Sequence, residues 1–236
     1  MLPWLDPDLP VFPDVNTALA EPDGLLAVGG NLLPDTLLKA YQQGIFPWYN
    51  DDEPYLWWSP DPRTVLHPKD VHVSRSLKKF MRKTSLTLTF NQAFSFVIKE
   101  CAKPRSSDNG TWITDEMMAA YETLHQLGHA HSVEVWENTT LVGGLYGIAI
   151  GRVFFGESMF SRRDNASKYA FVALCRHLSS WQFSLVDCQV YNDHLATLGA
   201  TALPREAFVQ QLATYCPQAP TGAHWKVERQ WNDLTQ

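Results

Sequence analysis

The chain of 236 residues has no apolar run long enough to cross a bilayer, and its start, MLPWLDPDLP, carries no basic segment ahead of an apolar one. These absences set the expectation of a cytoplasmic protein without membrane attachment. Cysteine is scarce: Cys101, Cys175, Cys188 and Cys216 are scattered, with no CxxC pair, so reduced thiols are expected rather than a disulfide framework. No Gly-x-Ser-x-Gly elbow occurs, and no cysteine stands near a triad-like His/Asn set, which argues against a covalent acyl-enzyme. Positive charge is also short. With 19 Lys and Arg against 25 Asp and Glu, the net charge of −6 argues against non-specific nucleic-acid binding by the whole molecule. His125, His129 and His131 cluster, but Gly128 breaks helical spacing and no acid or thiol sits at ligand distance in sequence. They are read as structural, and neither a metal nor a cofactor is expected.

What is present is apolar surface. Hydrophobic residues make up 45% of the chain and aromatics 12%, enough for one sizeable core or a small domain beside a larger one. Residues 1–62 differ from the rest: prolines recur from Pro3 to Pro62, and Phe46, Trp48, Tyr49, Tyr55, Trp57 and Trp58 crowd together. A strand is expected over Leu25–Val28 and a helix from Pro34 to Gly44. The aromatics suit either a small proline-rich core or a ligand-facing wall. Trp58 to Arg63 (WSPDPR) reads as a rigid link, dividing the chain into domains 1–62 and 63–236.

Beyond the link, Ser74 caps an expected helix on which Arg75, Lys78, Lys79, Arg82 and Lys83 recur at three- and four-residue spacing, with no acid between them. Five uncompensated cations in an acidic protein favour a phosphate-facing surface over a merely solvated one. Lys99, Lys103 and Arg105 are candidates to extend it. Helices are expected over Asn91–Cys101 and from Thr114 to Gly128, with the loop 106–110 between them. A hairpin of Ser132–Trp136 and Thr140–Ala149 follows.

The most informative stretch runs from Arg152 to His194. Arg152–Phe160 reads as a strand, Asn165 as the cap of a helix, and Phe183–Val190 as a second strand. Strand, helix, strand makes the two strands parallel neighbours. Each carries an acid where a buried strand is normally apolar, Glu157 and Asp187, and Gln189 follows two residues on. Either the carboxylates satisfy buried backbone or an arginine, or they meet with Gln189 in one functional pocket. Two further helices, Asp193–Leu198 and Pro204–Tyr215, complete the chain. The fold class expected is α+β, a small N-terminal domain plus a C-terminal domain on the plan of the N-acyltransferases (acetyltransferase-like, GNAT). Such an enzyme using acyl-CoA needs a glycine-rich loop to cradle the pyrophosphate; here that position reads SRRDNAS, without glycine. A CoA-dependent N-acetyltransferase is therefore the alternative, and direct attack of an amine on an activated ester held by a nucleic-acid carrier is preferred.

EPDGLLAVGGNL, AYQQGIFPWY, LWWSPDPR, SRSLKKF, GTWIT, LHQLGHAHSVEVW, LVGGLYG, FFGESMFS, NASK and LVDCQVYNDHLATLGA together resemble the leucyl/phenylalanyl-tRNA–protein transferase family, from about Glu21 to Pro204. The resemblance implies transfer of Leu, Phe or Met from aminoacyl-tRNA to proteins with N-terminal Arg or Lys, by a cytoplasmic, metal-free enzyme whose product is read by the bacterial degradation machinery. A monomer is expected, since a long tRNA and a protein tail must both reach the pocket. Asp187 and Gln189 match the family's proposed catalytic pair and Glu157 its supporting acid. Gln189 would hold the acceptor amine, and Asp187 would polarise Gln189 or relay its proton. Either Glu157 or Asp187 would meet the acceptor's cationic side chain. Trp48, Trp112, Phe154 and Val186 match the amino-acid pocket. Leu145, Leu174 and Leu178 stand where the better-known pattern has Met, Phe and Phe, so the pocket stays apolar with a changed volume. Arg75, Lys78, Lys79, Arg82 and Lys83 match the tRNA-facing cluster.

Overall fold

The structure, a computed structural model, describes residues 2–103 and 113–226. Strands β1 (Trp4–Leu5) and β2 (Leu25–Gly29), helix α1 (Pro34–Gln42), and strands β3 (Phe46–Pro47) and β4 (Leu56–Trp58) form the first unit. Its sheet has the order β1-β2-β4-β3, with β1 parallel to β2 and the other pairs antiparallel. Pro34 opens α1, where a missing N–H costs nothing, and Gly44 at φ +79° lets the chain turn away after it. Trp57 is fully buried, and its indole N–H donates to the Gly29 carbonyl at 2.8 Å. Pro47 sits on an edge strand, the place in a sheet that tolerates a residue with no N–H.

The expected rigid link is different. Arg63–Leu66 is a strand, β5, buried along its whole length. The prolines before it mark a corner, and the β-branched, apolar run Thr64-Val65-Leu66 then pairs into the second sheet. Next come α2 (Arg75–Lys83), β6 (Thr87–Phe90), α3 (Phe94–Cys101), α4 (Asp115–Gln126), β7 (Ala130–Glu137), β8 (Thr140–Ile150) and β9 (Val153–Ser161). Helix α5 (Ala166–Ser180), β10 (Leu185–Asp187), α6 (Asp193–Ala196), β11 (Thr201–Leu203) and α7 (Arg205–Tyr215) follow. The seven-stranded sheet has the order β11-β5-β10-β9-β8-β7-β6. All its pairs are antiparallel except β9 with β10, which α5 joins as a crossover. The architecture is α+β, and this antiparallel meander followed by a crossover helix and a parallel strand is the acyltransferase plan. Ser74 and Thr114 cap α2 and α4 through their hydroxyls, as expected. Asn165 stands at the N-cap of α5 but with φ +65° and no cap bond; the Ser161 hydroxyl accepts the Ser167 N–H instead. The short strands β6 and β11 have too few residues for a period of two to show in sequence.

Alternation along the central strands gives the sheet two buried faces. Val133, Leu145, Phe154 and Val186 face α2 and α5; Tyr146, Phe155 and Leu185 face α3, α4 and the first unit. No helix among the described residues is long and apolar enough to cross a membrane.

Candidate active site

The parallel pair β9–β10 is short. Val153, Phe154 and Phe155 match Leu185, Val186 and Asp187; there β10 ends, while β9 runs on to Ser161. Gln189 has φ +60°, so the expected strand Phe183–Val190 stops at Asp187, and Asp187 and Gln189 do not alternate along one strand. On its other edge β9 shifts register: Tyr146 opposes Ser158 and Gly147 opposes Gly156, leaving Glu157 as a bulged residue. A bulge next to a strand end re-aims a side chain and opens a sheet. A cavity of about 190 Å³ fills the opening.

Its walls are apolar. Trp48, Leu145, Phe154, Leu174 and Val186 line it, together with Phe46 of the aromatic cluster and with Met159 and Phe171, which the sequence did not assign to a pocket. Leu178 does not line it: one turn along α5 from Leu174, it is packed wholly inside the core. Trp112 lies outside the described residues, as do Arg105 and the loop 106–110. Trp48 stands at the mouth, 44% exposed, with its ring centroid 5.7 Å from that of Trp58.

Glu157, Asp187 and Gln189 all reach this cavity. The Glu157 carboxyl receives the Tyr41 hydroxyl at 2.8 Å and the Gln189 side-chain N–H at 2.9 Å on Oε1, and the Tyr121 hydroxyl at 2.8 Å on Oε2. Tyr41 and Tyr121 are also hydrogen-bonded to each other through their hydroxyls. Burial pushes the Glu157 carboxyl from an ordinary 4.5 up to about 7, against the opposing pull of the two hydroxyls.

Asp187 has a different environment. Arg63 Nε donates to its Oδ1 at 2.8 Å and Nη2 to Oδ2 at 2.7 Å, with both side chains buried. The guanidinium also donates to the Gly44 carbonyl at 3.1 Å, and its centre lies 4.7 Å from the Phe46 and Phe208 ring centroids. Asp187 pairs with an arginine and also lines the cavity beside Glu157 and Gln189. Oδ1 accepts the backbone N–H of Gln189 at 2.9 Å, and the Gln189 carbonyl accepts the Thr64 N–H at 3.0 Å. Asp187 thus holds the main chain of Gln189, not its amide. Its oxygens are committed to Arg63 and that N–H.

The basic helix forms as expected. Arg75, Lys78, Lys79, Arg82 and Lys83 line one exposed hollow, while Leu77 and Met81 are buried beneath. Lys103 pairs with Glu100 at 2.7 Å. His125 and His131 are packing groups: His125 stacks on Phe94, and His131 stacks on Trp225 with burial pushing its pKa down to about 3. Among the described residues no group of three or more His, Cys, Asp and Glu could hold a metal ion.

The family described as "Leucyl/phenylalanyl-tRNA protein transferase" matches residues 65–213, and its N-terminal domain matches residues 30–61. The chain belongs to this family. It is 55% identical to the leucyl/phenylalanyl-tRNA–protein transferase of Pseudomonas syringae pv. syringae (strain B728a) over 97% of this chain and 100% of that one. It is 55% identical to that of Cellvibrio japonicus (strain Ueda107) over 92% and 93%. Among solved structures, a GCN5-related N-acetyltransferase from Kribbella flavida is similar at a TM-score of 0.35 and 11% identity, over 72% of this chain and 60% of that one. At that distance the strand order carries the fold assignment.

Proposed function

We propose that the chain transfers Leu, Phe or Met from aminoacyl-tRNA to the α-amino group of proteins beginning with Arg or Lys, working as a cytoplasmic monomer whose products enter bacterial degradation. The observation that supports this is an apolar cavity whose polar end is a carboxyl with a pKa near 7, held by two tyrosines and a glutamine. The donor's side chain fills the apolar part. Its ester carbonyl then lies toward Gln189 and Glu157, and the basic helix α2 holds the tRNA backbone. The division into domains 1–62 and 63–236 belongs to the same reading, with Trp48 of the first contributing to the mouth.

The acceptor arrives as an ammonium and must lose a proton before it can attack. Glu157, ionised, takes that proton, and a pKa near the working pH is the best compromise for such a base. Gln189, tied to Glu157 through its N–H, keeps its amide oxygen to accept from the amine and fix its direction. The amine nitrogen forms a bond to the ester carbon. The carbon–oxygen bond to the ribose breaks and the ribose oxygen takes the proton held by Glu157; the ionised carboxylate then takes the second proton that the nitrogen loses on becoming an amide, and releases it to solvent before the next cycle. Asp187 acts as a positioning residue: with Arg63 it sets the main chain that carries Gln189.

The test offers an Arg-starting peptide, with either Phe-tRNA or acetyl-CoA labelled in the acyl group. Label reaching the peptide from Phe-tRNA alone is expected. Label from acetyl-CoA would contradict the proposal.

A further inference from the structure

Two hollows continue end to end from the cavity toward the basic helix. The apolar cavity shares Met159, Asn192 and Leu195 with a neighbouring hollow that also holds Glu100, Lys103 and Arg162. That hollow shares Ser161, Arg162, Ser167 and His194 with a third, completed by Arg163, Asp164, Asn165 and Lys168. Next along α5 is Tyr169, whose ring meets Phe80 of α2, centroids 6.5 Å apart, so the start of α5, which carries the third hollow, lies beside the helix of five cations.

The charges along this path do not cancel. Glu100 is shared by two cations, Lys103 and Arg162, which leaves that trio with an excess of one positive charge. Arg163 is paired with Glu137, and Asp164 offsets one further cation, so the path keeps a net excess of positive charge. Lys168 makes no ion pair among the described residues and lies in the first turn of α5, which contains no acid. A cation at that end of a fifteen-residue helix opposes the helix dipole. The same segment occupies the position where an acyl-CoA enzyme of this plan would place glycines around a pyrophosphate, and here Arg162 and Arg163 stand there with one acid, Asp164, and no glycine.

Resting on the proposed transfer from aminoacyl-tRNA, we propose that Arg162 and Lys168 form a phosphodiester subsite for the unpaired 3′ end of the donor. Its sugar–phosphate chain crosses from α2, where the paired stem is held, past Lys168 and Arg162 to the cavity that takes the aminoacyl group. Arg162 offers a planar fork for one phosphate and Lys168 a point charge for the next. Arg162 is exposed and Lys168 half-buried, and neither belongs to the apolar core, so their removal leaves the core packing in place.

The experiment compares full-length wild type, Lys168→Ala and Arg162→Ala with two donors: Phe-tRNA, and 3′-O-phenylalanyl-adenosine, which has no phosphodiester. With Phe-tRNA each variant should raise the donor KM by about 3- to 5-fold, the scale of an exposed ion pair. Each should also flatten the log–log salt dependence by roughly 0.7, the value for one neutralised phosphate on a single strand. With the adenosine donor both variants should match wild type. Equal losses with both donors would make the residues structural and overturn the subsite. A raised KM for the acceptor peptide instead would place the acceptor chain on the strip, with the same consequence. Variants that behave as wild type with Phe-tRNA would overturn the subsite alone, whereas wild type that uses neither donor would overturn the transferase reading with it.

Discussion

Arg63 closes on both oxygens of Asp187, at 2.8 and 2.7 Å, and neither side chain reaches solvent. The pair joins the first strand after the proline-rich unit to the strand that ends at the active site. Removing one partner leaves the other buried and uncompensated. Arg63→Met should therefore cost about 3–5 kcal/mol, a fall of roughly 6–20 °C in Tm for a chain of this size. Arg63→Lys keeps the charge but not the two-pronged hydrogen bonding, and it should melt between wild type and Arg63→Met. A thermal melt of the three proteins checks the order.

Asp187→Asn should behave likewise in stability, and it should also lower transfer, because the Gln189 main chain loses its anionic partner. Aminoacyl-tRNA affinity should stay close to wild type, since the cavity walls and α2 are untouched. Single-turnover transfer with tRNA binding measured in parallel separates the two.

Sequence reasoning found this acid and missed its partner. Asp187 is conspicuous between Val186 and Cys188, whereas Arg63 follows SPDP and looks like the end of a link. Nothing local says that its side chain turns inward to lie between Phe46 and Phe208, residues far apart in sequence. Tyr41 and Tyr121 fit the apolar periodicity of α1 and α4, so their hydroxyls gave no signal that they converge on Glu157. The βαβ crossover and the basic helix were legible because each is long and periodic. The end of β10 was not, because a left-handed φ at Gln189 leaves no mark in its residue type.

The tyrosines set the acidity of Glu157. Both hydroxyls donate to its carboxyl and hold its pKa below where burial alone would put it. Tyr41→Phe or Tyr121→Phe should move the pH–rate inflection to higher pH. A rate profile for each variant checks this, and an inflection that moved to lower pH would contradict it.

Stability should carry the same signature. The folded pKa of about 7 lies above the ordinary 4.5, so the folded state binds more protons than the unfolded chain above the lower value. The stabilising contribution of neutral Glu157 is complete below about pH 4.5 and is lost as pH rises through about 7, by roughly 3 kcal/mol in all. Glu157→Gln should remove this component from denaturant-derived stability measured across that window.

The cavity volume should govern donor choice. Leu174 is on the wall, and Leu178 is in the core behind it. Leu174→Phe should narrow the cavity and disfavour Phe-tRNA relative to Leu-tRNA, by about 1–3 kcal/mol in relative kcat/KM. Leu178→Ala should cost about 2–5 kcal/mol of stability with less effect on that ratio. Competition between the two donors, alongside melts, distinguishes wall from core.

On α2, neutralising Lys78, Lys79 and Arg82 together should weaken tRNA binding and flatten its log–log salt dependence by about 0.9 for each phosphate left without its cation. Transfer at saturating tRNA should fall much less. Binding titrations at several salt concentrations measure the slope, and an unchanged slope would move the tRNA site elsewhere.

The central claim is that Glu157 is the base that frees the acceptor amine. The most direct measurement is single-turnover transfer from Phe-tRNA to an Arg-starting peptide, for wild type and Glu157→Gln, across neutral pH with both substrates saturating. Wild type should rise with pH through an inflection near 7. Glu157→Gln should fall by about 10²–10⁴ and lose that inflection, as expected when a general base is removed. A Glu157→Gln protein that transfers at near wild-type rate with the same pH profile would contradict the account.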